Sequence, residues 1–186
     1  MLVRHIFLIL LAFVARASFA ADSASPQGYH LRAGDTLSIS VWKETELQSE
    51  VLIRPDGGIS FALAGDVQAA GHTVAELESI LQDRVREYVP AAVVTVLVKT
   101  TLGNQVFVIG KVNKPGNFLL MGPMDVMQAL SLAGGTTPYA ATNNIRVLRR
   151  VGDHLVSIRF RYRDIEHGKK LDQDILLQSG DTVVVP

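Results

Sequence analysis

Carboxylates, imidazoles and guanidiniums carry most of the chemical scope of this chain. Asp35, Asp56, Asp66 and Asp181 would suit glycoside hydrolysis if two of them flanked one cleft. Each stands beside a glycine in turn-like sequence, so the expected role is a turn in which Asp bonds the backbone two residues on. His30, His72, His154 and His167 are scattered without metal-ligand spacing and are expected at surface or turn positions. Trp42 and Tyr139 have the faces to stack on sugar rings, although Trp42 closes a strand and is expected to be partly packed. Arg146, Arg149, Arg150, Arg159, Arg161 and Arg163 form a basic stretch. It could face an acidic polymer or a neighbouring subunit, with a solvated face as the default. Gly134-Gly135 lacks the Lys and Ser/Thr of a phosphate loop, and no nucleophile elbow occurs. No catalytic site, metal or cofactor is therefore expected.

The elements that must position these residues are legible in one central segment, Val106 to Thr136. Val106-Phe107-Val108-Ile109 reads as a buried strand ending at Gly110. Pro115-Gly116 suits a type II turn, with Gly accepting positive φ, and Phe118-Leu119-Leu120 returns as a second strand. Asp125 is placed to cap a helix whose apolar face is Val126, Leu130 and Ala133. Gly134, followed by Gly135, stops that helix in the left-handed conformation.

A phrase is repeated near the two ends: Leu31-Arg32-Ala33-Gly34-Asp35-Thr36 and Leu177-Gln178-Ser179-Gly180-Asp181-Thr182. Each opens a strand, Thr36 to Trp42 by alternation and Val183 to Val185 by a short apolar run. The match is too short to establish a duplication, but it predicts one turn-into-strand device used twice. Between them, Val51 to Arg54 and Gly58 to Phe61 read as a hairpin around Pro55-Asp56-Gly57. Thr73-Val74-Ala75-Glu76 is a capping box. The helix it starts has Val74, Leu77, Leu81, Val85 and Tyr88 on one face and stops before Pro90. Val93 to Val98 closes this first module as a buried strand, and Thr101 to Asn104 is the expected seam. In the second, Ile145 to Val151 and His154 to Phe160 pair around Gly152-Asp153, with a short helix near Tyr162 to Glu166. The order of elements predicts an α+β fold of two small modules, 29–101 and 105–186, each with one main helix on a mixed or antiparallel sheet.

Length and composition bound the rest. Arg4 and His5, an apolar run from Ile6 to Ala15, and Ser18-Phe19-Ala20 read as a secretory signal over residues 1–20, cleaved after Ala20. A spanning anchor needs roughly 20 apolar residues, and Arg16 interrupts this run too early. Among 186 residues the 18 basic side chains balance 18 acidic ones. Loss of Arg4 and Arg16 with the leader leaves the mature chain slightly acidic, which gives no footprint for nucleic acid. The absence of cysteine excludes disulfides, thiolate metal sites and lipid attachment to an N-terminal Cys.

These motifs carry a resemblance. Tyr29-His30-Leu31, Gly34-Asp35, Val41-Trp42, Arg54-Pro55-Asp56-Gly57, Gly71-His72-Thr73 and the helix to Tyr88 resemble the polysaccharide biosynthesis/export domain. Gly110-Lys111-Val112, Lys114-Pro115-Gly116, the following helix with Gly134-Gly135, and Gly180-Asp181 resemble the soluble-ligand-binding β-grasp (SLBB) domain that follows it in outer-membrane polysaccharide export proteins. Lys111 stands where that family often has an acid or amide. The resemblance implies a non-enzymatic periplasmic component of an extracellular or capsular polysaccharide export machinery. It implies a homo-oligomeric ring that forms or extends a conduit for the polymer and docks to a polysaccharide copolymerase of the inner membrane. Larger members carry a lipidated Cys and a C-terminal amphipathic helix that lines the outer-membrane pore. Without these, the expectation is association with the outer membrane through a separate pore protein, because an unhelped soluble ring cannot satisfy its backbone in lipid. The competing reading is a periplasmic β-grasp module that binds a small ligand or glycan and takes no part in transport.

Overall fold

The structure, a computed structural model, describes residues 28–186; the signal-peptide expectation for residues 1–20 lies outside them. The chain folds as α+β around two hydrophobic cores.

The first core lies beneath a three-stranded antiparallel sheet of order β2-β1-β5, formed by Glu44–Leu52 (β2), Thr36–Val41 (β1) and Val94–Thr100 (β5). Strand alternation sends Leu37, Ile39 and Val41 of β1 and Val94 and Val96 of β5 to one face. Helix α1, Val74–Val85, covers that face with Leu77, Leu81 and Val85, and packs on β5. The capping box is formed as the sequence predicts. Thr73 Oγ1 accepts from Glu76 N, and the Glu76 carboxylate accepts from Thr73 N at 2.7 Å. A ribbon of Gly58–Phe61 (β3) and Gly65–Gln68 (β4) closes one end with Ile59, Phe61 and Val67.

Four expectations for this module are corrected. The segment around Val51 does not pair with β3. Instead β2 runs along β1, joined through Trp42 and Lys43, with Lys43 in the left-handed region (φ 66°), while β3 pairs with β4. β2 is largely exposed and touches the core only through Leu47 and Val51, four residues apart, so its pairing rests mainly on backbone hydrogen bonds and leaves no strand-like alternation. Trp42 occupies that connection and is 71 % exposed, not packed. β5 is half-buried rather than buried: Leu97 points away from the core. Tyr88 falls beyond the end of α1, and its ring is exposed.

The second core is built on a five-stranded sheet of order β7-β6-β10-β8-β9. Its strands are Gly116–Leu119 (β7), Gln105–Gly110 (β6), Thr182–Val185 (β10), Ile145–Val151 (β8) and His154–Phe160 (β9). The last strand takes the central place, parallel to β6 and antiparallel to β8. Helix α2, Val126–Leu132, buries Val126, Ala129 and Leu130 against Val106, Val108, Ile145, Val147 and Phe160. Helix α3, Tyr162–Glu166, adds Ile165. Asp125 caps α2 with a capping box: Oδ1 accepts from Gln128 N at 2.7 Å. At its other end Gly134 N donates to Ser131 O and Gly135 N to Leu130 O, the paired bonds of a Schellman motif.

Two expectations change here as well. β6 is not wholly buried: Val106 and Val108 face the core, whereas Phe107 and Ile109 are 37 % and 46 % exposed. Lys114-Pro115-Gly116 is not a type II turn, since Gly116 lacks positive φ and pairs with Val108 as the first residue of β7. The chain reverses further upstream, at Gly110 (φ 97°), and then lies across the end of α2. There Lys114 N donates to Ala133 O, Asn113 N to Gly135 O, and Asn113 Nδ2 to Gly134 O at 2.6 Å. These bonds satisfy carbonyls at the helix end, so the connection follows the helix rather than a hairpin.

Candidate functional site

The two Gly-Asp phrases meet at the junction of the modules. Residues 32–35 and 178–181 form the same turn. Asp35 N donates to Arg32 O while Asp35 Oδ2 accepts from Arg32 N at 2.9 Å. Asp181 N donates to Gln178 O while Asp181 Oδ2 accepts from Gln178 N at 2.8 Å. Each carboxylate therefore reaches back three residues, not forward two. Gly34 (φ 93°) and Gly180 (φ 87°) hold the left-handed position in each turn. Asp35 and Asp181 are buried polar residues.

The remaining partners of these carboxylates differ. Asp35 accepts from Tyr29 Oη at 2.6 Å and, through Oδ1, from Gly103 N at 2.9 Å. Burial first, and this bond to Asp35 second, push the Tyr29 phenol above its ordinary range. Asp181 receives Arg149 side-on, with Nε at 3.0 Å from Oδ1 and an Nη nitrogen at 2.6 Å from Oδ2. The same guanidinium donates to Leu176 O at 2.9 Å. Arg149 lies on the face of β8 that carries Ile145 and Val147, one register step from the Thr182–Leu148 pair. A charge at an inward-facing strand position needs a partner, and that alternation was the available sequence signal for this pair.

Gly103 links the two turns. Its N–H donates to Asp35 and its carbonyl accepts from Ser179 Oγ at 3.0 Å. A Cβ on Gly103 would stand 2.3 Å from Ala33 O and 2.9 Å from Asp35 Oδ1. Sequence reasoning placed Gly103 in a seam but gave it no role, because the contact spans residues far apart in the chain. Gly103→Ala is expected to force the 32–35 turn apart and cost about 1–3 kcal/mol, as overpacking does. Hydrogen exchange should show lost protection of the residue 103 amide while amides of β6 and β1 stay protected.

Above these turns lies an open cleft of about 890 Å³, lined among others by Tyr29, Arg32, Asn104, Arg150, Gln178 and Ser179. Arg150 neighbours Arg149 on β8 and so points to the opposite face. Among the described residues, the sequence-predicted basic stretch is divided: Arg149 is half-buried in its pair with Asp181, Arg161 reaches Asp164 at 3.8 Å, and Arg146 donates to Ser157 Oγ.

The other candidate residues lie apart. Pro55-Asp56-Gly57 forms a turn in which Gly57 N donates to Arg54 O and Asp56 Oδ1 accepts from Gly58 N at 2.9 Å. Arg54 bridges Asp56 at 3.2 Å and Asp66 at 3.0 Å. Asp66 is in strand β4, not in a turn, and also accepts from Ser60 Oγ. The bond from Gly58 N and then Arg54 hold the Asp56 carboxyl below the usual Asp value; Ser60 and then Arg54 do the same for Asp66. Their contribution to stability is present above the usual Asp value and lost as pH falls through the lower native one. Arg54→Gln should move both titration midpoints up, as read from the side-chain carboxyl carbons by NMR. Both groups are exposed, so little global stability should change. Among the described residues, no cluster of His, Cys, Asp and Glu has metal-binding geometry, and no helix is long and apolar enough to cross a membrane. Tyr139 is exposed at a distance in sequence from the cleft-lining residues.

Comparisons with known proteins fall along the same division. The family described as "Polysaccharide biosynthesis/export protein" matches residues 23–99, and the SLBB domain matches residues 104–185. The chain is 27 % identical over 183 residues to the EPS I polysaccharide export outer membrane protein EpsA of Ralstonia solanacearum, covering 84 % of this chain and 47 % of that protein. It is 26 % identical over 172 residues to the polysialic acid transport protein KpsD of Escherichia coli, covering 89 % of this chain and 30 % of that protein. The chain thus spans about half or less of the length of these curated relatives.

Proposed function

The chain belongs to the polysaccharide biosynthesis/export family, and from that premise we propose that it is a periplasmic component of an extracellular polysaccharide export machinery. The observation that carries this reading is the pair of matched domains, an export domain at 23–99 followed directly by an SLBB domain at 104–185. In this reading copies of the chain close into a ring around the polymer, since head-to-tail contacts that close give cyclic symmetry. The ring docks to an inner-membrane copolymerase and extends its conduit, and the chain takes no catalytic part in making the polymer. The disposition of its acids supports that last point: Asp35 and Asp181 are buried and held by fixed donors, and Asp56 and Asp66 are bound by one arginine.

Deleting the gene is expected to remove polymer from the cell surface and medium while glycosyltransferase activity persists in isolated membranes. Unchanged secreted polymer in the deletion strain, or glycan cleavage by the purified protein, would overturn this reading.

A further inference from the structure

We propose that the cleft at the junction of the two modules binds a carboxylate-bearing sugar unit of the polymer; this rests on the export reading and narrows its substrate class. The cleft is lined by two guanidiniums, Arg32 from the first module and Arg150 from the second, and by no Asp or Glu. Neither arginine side chain makes an ion pair or hydrogen bond with another described residue, whereas Arg149, next in sequence to Arg150, is fully engaged with Asp181. The nearest acid beneath the cleft, Asp35, has its oxygens occupied by Tyr29, Arg32 N and Gly103 N. The lining thus carries two guanidinium charges against the single buried Asp35 carboxylate beneath it, and its free donors are planar forks that match a carboxylate.

The rest of the lining suits a saccharide. Gln178 offers an unused side-chain amide for ring hydroxyls, and Tyr29 offers an aromatic ring whose hydroxyl is anchored to Asp35. The exposed Met121 supplies apolar surface for the C–H faces of a sugar. The floor is rigid, because both turns beneath it are tied to Gly103. Arg32 and Arg150 come from different modules, so both modules contribute charge to the cleft.

The test uses the purified protein and three probes: oligogalacturonate, an uncharged maltooligosaccharide of the same length, and inorganic phosphate. Calorimetry should show binding of oligogalacturonate that weakens with added salt. Arg32→Gln and Arg150→Gln should each weaken it about tenfold or more, with unchanged melting midpoints because both side chains are exposed. Equal affinity for the uncharged oligosaccharide, displacement by equimolar phosphate, or full binding by the double variant overturns the proposal. The deletion strain separates the two ideas. Lost polymer in the deletion strain without oligogalacturonate binding refutes the cleft alone, and unchanged polymer refutes the export reading.

Discussion

Asp181→Ala is expected to lower the stability of the second module by about 3–5 kcal/mol, the cost of leaving a buried charge without its partner. The Arg149 and Asp181 side chains retain only 16 % and 2 % of their exposure, and the guanidinium lies along both carboxylate oxygens. Removing the acid also strips the 178–181 turn of its bond to Gln178 N, so the entry to the central strand β10 loosens with it. The pair need not be more stable than an apolar substitute. Arg149→Met combined with Asp181→Leu should recover much of the loss, because it removes both charges rather than one. Urea denaturation of the single and double variants gives the comparison. A double variant no better than Asp181→Ala would place the effect in the turn rather than in the unpaired charge.

Gly110→Ala should be at least as damaging. Gly110 has φ 97° and ends the strand that runs parallel to β10. A Cβ there would lie 2.0 Å from Val185 O and 2.9 Å from Val185 C, both backbone atoms in the middle of the sheet. The obstacle cannot swing aside like a side chain. The β6–β10 pairing must open, which also breaks the bond from Lys111 N to Val185 O. Backbone strain of this kind costs of order 1–3 kcal/mol before any lost ladder bonds are counted. The variant is expected to lose exchange protection across β6 and β10 and to melt well below the parent. Gly116→Ala is the informative control, since nothing lies within 4 Å of a Cβ at that position and its φ is ordinary. Equal damage at both positions would refute the steric account.

The contrast between these glycines shows where local sequence is a good guide. Helix starts and stops are local events, settled within a turn of chain. Thr73 and Asp125 cap their helices, and Gly134 ends α2, because the partner atoms lie three to five residues away. Alternation likewise identified β1, whose every second side chain is buried as the pleat requires, and Gly152-Asp153 marked the turn between β8 and β9. Pro115-Gly116 misled for the converse reason. The dipeptide favours a tight turn, but the open carbonyls at the end of α2 recruit Asn113 and Lys114, and that tertiary bonding overrides the local preference.

By itself, the sequence determined the α+β class, the two-module order, most elements and the caps, and through its motifs the resemblance to the export family. All of these rest on side-chain periodicity or on bonds between near neighbours. Only the tertiary structure decided that β2 pairs with β1, that β10 takes the centre of its sheet, that Gly103 joins the two Gly-Asp turns, and that Arg149 and Arg150 part to a buried acid and an open cleft. Those outcomes depend on backbone groups and packing between segments up to 76 residues apart, as in the bond from Ser179 to Gly103. A backbone donor or acceptor is the same at every residue, so which distant segment it will find leaves no mark in the local pattern.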